Sequence, residues 1–517
     1  MKDTFFVSTP IYYSSGRLTI GHCYTSIICD CIARFKRMQG YDVFYLTGTD
    51  EHGQKVEEVA KKHGISPQQY VDNLYADIVK LWDLLNISYD KFVRTTDDYH
   101  EKCVRDIYQQ LMDKGYLYKA EYSGLYCTPC ESFWTPSQLV NGCCPDCGRH
   151  VTTETEESYF FKLSQFGDRL LKLYEDNPDF ISPKSRMNEM INNFIKPGLK
   201  DLCVSRTTFS WGVPLPFDEK HIAYVWIDAL SNYISALGYN STDTTLFDKY
   251  WPANIHMVGK EITRFHSIIW PALLMALDLP LPKKVHGHGY INFNNDKMSK
   301  SKGNVVYPEP LCARYGVDAL RYFLLRELPA NGDTNYSNEL LLNRINADLC
   351  NSLGNLVSRS LAMVEQYNGG IIPRPTLSLD VDNMLIETAN GMYDKVVNMI
   401  DSINIPSALE DIFDLISCAN RYIDLTTPWA LAKDVTNKDR LDTVLYNLCE
   451  SIRLSALLLS PFIPHTAKRI YAKLGLGQLP TQFGDKVNWG NLPTGIKVDK
   501  GDNLFVRLNI TKELEAL

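Results

Sequence analysis

The first fifty residues narrow the fold most. Residues 4–8 form a short β-branched and aromatic run, and a Pro/Gly/Ser loop follows. From Ile20 onward, apolar residues recur with helical period at Ile27, Ile28, Cys31, Ile32, Phe35 and Met38. This helix should stop at Gly40, and residues 43–46 then read as a second buried strand running into a polar turn over 47–53. A strand, helix, strand succession of this kind is half of a doubly wound parallel sheet. Ligands of such sheets lie beyond the carboxyl ends of the strands, which places the chemistry in the loops after residues 8 and 46.

The remainder is too long for one such unit, since 517 residues correspond to two to four domains at roughly 150 residues each. Sheet-type signals fill 1–116, stop for a Cys-, Thr- and Pro-punctuated insertion at 117–223, and return over 224–292. A lysine-rich loop and linker occupy 293–340. Helical patterns at 339–367, 382–401, 406–426 and 438–459 then predict a bundle within 341–480, followed by a Gly-, Pro- and Asp-rich tail at 481–517. The most apolar stretches, 268–282 and 454–464, are short and end in proline, so no membrane span is expected. The amino terminus lacks the apolar core and cleavage site of a signal peptide, which points to the cytosol. With 53 basic against 61 acidic residues the net charge is −8, so any nucleic-acid contact must be a local patch.

Three motifs carry chemistry. Thr19, Gly21 and His22 sit where the first strand feeds the helix, where free backbone N–H groups and the positive helix end favour an anion. Alone, this pattern also suits a simple helix-capping loop. The second motif, Lys297-Met-Ser-Lys300-Ser, sets two lysines three residues apart in a short polar loop after an apolar strand, able to bring two cations onto a polyphosphate. Third, Cys127-x-x-Cys130 and Cys144-x-x-Cys147 are two chelating pairs separated by thirteen residues. Four thiolates of this spacing select zinc and leave no position for a reactive water, so the expected role is structural. Cys143 adjoins the second pair as a spare thiol, and a redox-active pair is the alternative reading.

A Gly-His helix start followed, one sheet domain later, by Lys-Met-Ser-Lys-Ser resembles the class I aminoacyl-tRNA synthetases, with Thr19 standing where the first histidine of their signature usually is. The resemblance sharpens to the methionyl-tRNA synthetases over roughly residues 4–470. It is carried by the blocks at 6–13, 47–53, 205–208 and 224–229, and by Phe265-His266 with Trp270-Pro271-Ala272. It implies an α/β fold: a doubly wound, Rossmann-type catalytic domain with a zinc-binding insertion, followed by an α-helical anticodon-binding bundle. The activity implied is ATP-dependent ligation of L-methionine to tRNA(Met) through methionyl-adenylate.

Residue roles follow from the same resemblance. His22, Lys297, Lys300 and Arg206 are the expected catalytic groups, and Thr19, Gly21, Gly259 and Glu261 join His22 and both lysines around ATP, with Mg2+. For methionine, Asp50 would anchor the ammonium. Ile11, Tyr13, Trp226, Ala229, Tyr233, Ile262 and His266 would line the thioether pocket, where aromatic rings contact sulfur favourably. Tyr13 or His266 could donate a hydrogen bond to that sulfur, and Leu230 replaces a proline found in some members. In the bundle, Asn351, Asn355 and Arg359 recur at i, i+4 and i+8, and Trp429 follows Pro428. Amide, guanidinium and indole groups of this kind resemble the family's readers of the CAU anticodon. Many members carry a further C-terminal dimerising domain; with the sequence ending at Leu517, a monomer is expected. Sibling ligases for branched-chain amino acids are much longer, and a catalytically silent RNA-binding relative is the rival of a different class.

Overall fold

The computed structural model describes residues 3–515 apart from 131, 135, 146, 294–295, 299–304 and 328–331. It divides into two compact units, one of residues 1–18 and 42–289, the other of residues 19–41 and 290–517.

The first unit is built on a parallel sheet. Its strands run Lys91–Arg94, Asp42–Asp50, Thr4–Ser8, Ile255–Gly259, Val285–His288 and Ile181–Ser182 across the sheet. Leu46 is in register with both Ser8 and Lys91, so Thr4–Ser8 and Lys91–Arg94 flank opposite edges of Asp42–Asp50. Tyr12–Tyr13 continues beside the same strand, with Tyr13 opposite Asp50. The order reverses between Thr4–Ser8 and Ile255–Gly259, the topological switch point of a doubly wound sheet, where Ser8 Oγ lies 2.7 Å from His256 Nδ1. The expected polar turn at 47–53 instead begins as strand through Asp50. Its hydroxyls allow this: Thr9 Oγ1 donates to Thr47 Oγ1 at 2.8 Å, and Thr49 Oγ1 donates to Glu51 at 2.6 Å, so buried polar side chains are satisfied inside the sheet. Gly48 is needed there, since a Cβ would stand 2.1 Å from the Val93 carbonyl oxygen.

The insertion folds as a separate antiparallel sheet in the order Ser132–Trp134, Leu117–Cys127, Thr152–Phe161, Leu202–Cys203. Beyond it, the helix Val225–Ser235 packs on the core of the first unit.

In the second unit the helix Ile20–Met38 is held by distant residues. Its Asp30, fully buried, pairs with Arg321 at 2.7 Å and with Arg34 at 2.8 Å. Arg321, on Val317–Glu327, also donates to the Phe462 and Pro461 carbonyls. The bundle comprises Asn338–Arg344, a π-helical stretch Ile345–Gly354, Asn355–Asn368, Asp380–Ala389, Met392–Asp401, Ile405–Thr426, Lys438–Leu459 and Pro464–Lys473. The expected helix at 382–401 is broken at Gly391, which has a φ of 77°. A buried network of Asp382, Arg440, Tyr422 and Asn447 ties three of these helices together. The tail has little regular structure, yet the bundle satisfies its backbone: Arg453 donates to the Lys486 and Asn488 carbonyls, and Arg469 to Leu504 and Asn503. Phe483 packs between Phe35 and Tyr393. Among the described residues, no helix is long and apolar enough to cross a membrane.

Candidate functional site

The start of Ile20–Met38 is closed by an exchange between Thr19 and His22. The Thr19 backbone N–H donates to His22 Nδ1 at 3.0 Å and its Oγ1 lies 3.1 Å from the same nitrogen, while the His22 N–H donates to the Thr19 carbonyl. An Nδ1 that accepts puts the neutral imidazole's proton on Nε2, so the exposed ring presents an N–H donor at the positive end of the helix. Threonine in the first signature position therefore has a capping role that also fixes the histidine tautomer. Ile20 N–H donates to the Val306 carbonyl at 3.1 Å, which ties this helix start to the chain just beyond the lysine loop. Lys297 lies on the short strand Asp296–Lys297, paired with Ile291–Phe293, whereas Lys300 falls outside the described residues.

On the sheet unit, Asp50 ends its strand almost fully buried, opposite Tyr13, and its carbonyl accepts from Ser14 N–H. Ile11, Tyr13, Trp226 and Ile262 are half-buried against the core cluster that contains Tyr233. Ile11 also approaches Gly48. Trp226 stacks flat on Phe265 with ring centres 3.6 Å apart, and Ala229, Leu230 and Tyr233 are buried along the same helix. His266 Nδ1 faces the Ile262 carbonyl at 2.9 Å and Nε2 faces Tyr233 Oη at 2.7 Å. A carbonyl only accepts, so Nδ1 carries the proton and Nε2 accepts from Tyr233. Burial depresses the His266 pKa to about 4, which keeps the ring neutral. Its one N–H is thus committed to Ile262 here, not aimed at a ligand sulfur.

Gly259 closes the Ile255–Gly259 strand, and the Glu261 carboxylate folds back over it, so that a Cβ would lie 2.6 Å from both carboxylate oxygens. Arg206 is buried, with its guanidinium 4.2 Å above the Tyr126 ring and 3.1 Å from Thr208 Oγ1.

The four cysteine sulfurs at 127, 130, 144 and 147 lie within 4.8 Å of one another, with Cys127 to Cys147 at 3.5 Å and Cys130 to Cys144 at 4.0 Å. Those separations suit four thiolates around one ion at about 2.3 Å each. Cys143 turns away towards His150 at 3.7 Å.

In the bundle, Asn351 and Asn355 are exposed, Arg359 is part-exposed and meets Asp424 at 3.3 Å, and Trp429 is 43% exposed. Asn351 lies in the π-helical stretch, so the i, i+4 spacing to Asn355 spans a wider turn than the α-helical pattern supposes.

Sequence reasoning missed the stacking of Phe265 on Trp226 and the buried group His52, His100 and Asp228. An aspartate inside the apolar run of Val225–Ser235 was the available signal, because a buried carboxylate needs a partner.

Residues 5–156 and 147–361 match the family described as tRNA synthetases class I (M), and residues 372–515 match the anticodon binding domain of methionyl tRNA ligase. The methionine–tRNA ligase of Caldanaerobacter subterraneus subsp. tengcongensis is 56% identical over all of this chain and 81% of its own length. That of Clostridium tetani is 54% identical over all of this chain and 80% of its own. A solved Mycobacterium tuberculosis methionyl-tRNA synthetase in complex with methionyl-adenylate superposes with a TM-score of 0.94 at 41% identity, covering 98% of this chain and 100% of that one. Sheet order, paired signatures, cysteine knuckle and helical bundle agree with these likenesses, and the chain belongs to the methionine–tRNA ligases of the class I aminoacyl-tRNA synthetases.

Proposed function

We propose that the chain joins L-methionine to tRNA(Met) in two steps, first forming methionyl-adenylate and pyrophosphate from ATP, then transferring the methionyl group to tRNA and releasing AMP. The observation that carries this reading is the adenylate complex of a relative that matches nearly the whole chain. The methionine carboxylate is already an anion, so its attack on the α-phosphate needs no general base, and catalysis is positioning plus charge stabilisation.

On the sheet unit, Asp50 receives the ammonium, and Ile11, Tyr13, Trp226, Ala229, Tyr233, Ile262 and His266 enclose the thioether. Gly259 admits the nucleoside and Glu261 accepts from its ribose hydroxyls. On the second unit, the backbone at Gly21, the Thr19-oriented Nε2–H of His22 and the ammonium groups of Lys297 and Lys300 hold the triphosphate and stabilise departing pyrophosphate. Arg206, on the sheet unit, adds a cation to stabilise negative charge in the reaction. Mg2+ bound with ATP would supply further charge screening of the phosphates. Cys127, Cys130, Cys144 and Cys147 would hold zinc, which supplies a crosslink for an insertion with little apolar core of its own; this chemistry suits the reducing cytosol.

Asn351, Asn355, Arg359 and Trp429 read the CAU anticodon of initiator and elongator tRNA(Met), Trp429 by stacking an unpaired base. The test is charging of tRNA(Met) with labelled methionine by Trp429→Ala. The expected result is a KM for tRNA raised roughly tenfold, from a lost stacking contact of about 1–3 kcal/mol, with methionine-dependent pyrophosphate exchange unchanged. Unchanged tRNA charging would remove Trp429 from the anticodon site.

A further inference from the structure

Asp228 lies in the first turn of the Val225–Ser235 helix, two residues after Trp226 and one before Ala229, and is 1% exposed. Its Oδ2 accepts from His52 Nδ1 at 2.7 Å and its Oδ1 from His100 Nε2 at 2.9 Å. His100 Nδ1 returns to the same helix at Ser235 Oγ, 2.7 Å away. His52 lies two residues beyond Asp50, its ring edge-on to Trp211, and its Nε2 is 3.6 Å from Glu101 Oε1.

The residue between them is fixed as firmly. The Glu51 carboxylate accepts from Thr49 at 2.6 Å, Thr96 at 2.5 Å and Arg94 Nε at 2.8 Å, and the Trp211 indole donates to the Glu51 carbonyl at 2.6 Å. Both charged neighbours on the C-terminal side of Asp50 are thus paired, Glu51 with the part-buried Arg94 and His52 with the buried Asp228.

We propose that His52 is a positioning residue for methionine: with Asp228 and His100 it fixes the distance between the loop that anchors the ammonium and the helix that walls the thioether. Burial alone would push the His52 imidazole down, but the adjacent Asp228 carboxylate overrides this and raises it well above the ordinary histidine range. The pair is therefore charged, and a charge-assisted bond of this length is among the strong ones. Because it spans the two walls of one pocket, its loss separates them and weakens methionine more than ATP.

The inference rests on the assignment of Asp50 and Trp226 to the methionine site, so the experiment includes a variant that tests the assignment itself. Methionine-dependent ATP–pyrophosphate exchange is measured for His52→Ala, His52→Asn, Asp228→Asn and Asp50→Asn, with KM determined separately for methionine and ATP and thermal melts recorded in parallel. His52→Ala should raise the methionine KM by roughly ten- to a hundredfold, the range for a lost charge-assisted hydrogen bond, with the ATP KM within about twofold. His52→Asn keeps a donor near the Nδ1 position and should recover part of that loss, which general destabilisation would not produce. Should the alanine variant fail to fold, Asp228→Asn carries the same expectation. A methionine KM within about twofold of the parent in these folded variants, or an equal rise for ATP, overturns the inference. An Asp50→Asn enzyme with an unchanged methionine KM overturns the site assignment instead.

Discussion

Replacing Arg321 with methionine removes a buried guanidinium without leaving a large void, and the structure sets the cost. Arg321 and Asp30 are both fully buried and 2.7 Å apart. Breaking a buried pair from one side costs about 3–5 kcal/mol, because the remaining charge is left uncompensated. Here Asp30 keeps Arg34 at 2.8 Å, which places the charge penalty near the lower end of that range. The Phe462 and Pro461 carbonyls, reached at 2.9 and 3.2 Å, also lose a donor, at about 1 kcal/mol each. The sum is about 5 kcal/mol, and a unit of this size shifts by about 2–4 °C per kcal/mol. Calorimetry of Arg321→Met should therefore show the transition of the second unit lowered by about 10–20 °C. Pairing it with Asp30→Asn should cost less than the two single changes together, since the second change removes the stranded charge. A shift below about 3 °C, or strict additivity, would refute the claim that this pair holds the signature helix in the second unit.

Elemental analysis should find one zinc per chain, and Cys127→Ser or Cys144→Ser should abolish it and make the insertion the first segment cleaved by protease; full zinc retention in either variant would contradict a four-thiolate site. Acid should destabilise the fold through His266 and His288, which burial holds down to about 4. The unfolded chain binds these protons from about pH 6.5 downward, so stability falls as pH drops through that window, by about 2 kcal/mol per histidine at pH 5. His52, with its raised value, contributes its stability fully below about pH 6.5 and loses it only as pH rises through that raised value, so it adds little further change there. A melting temperature constant from pH 7 to 5 would count against neutral burial of His266 and His288.

What could be read from the sequence was whatever depends on near neighbours. The spacing of Cys127, Cys130, Cys144 and Cys147 is local, and the sulfurs do converge. The hydrophobic period of Ile20–Met38 and of the bundle helices is likewise local, and those helices form close to the expected limits except where Gly391 breaks 382–401 and a π-helical stretch interrupts 339–367. Thr47 and Thr49 looked like turn residues because their hydroxyl partners, Thr9 and Glu51, cannot be foreseen from polarity alone. The helix start at Thr19 read as a departure from a signature, while its capping exchange with His22 depends on three-dimensional geometry. Least legible were pairings across hundreds of residues. Asp30 with Arg321 joins the first helix to Val317–Glu327, and His52 and His100 with Asp228 join the loop after Asp50 to the Val225–Ser235 helix.

The most direct test of the central claim is exchange of labelled pyrophosphate into ATP across a panel of amino acids, repeated with Lys300→Ala. Methionine alone should drive exchange, reduced about a hundredfold or more in the variant, the usual loss for one transition-state donor. Exchange driven by another amino acid would contradict the pocket, and none at all from folded, zinc-loaded protein would contradict the enzyme.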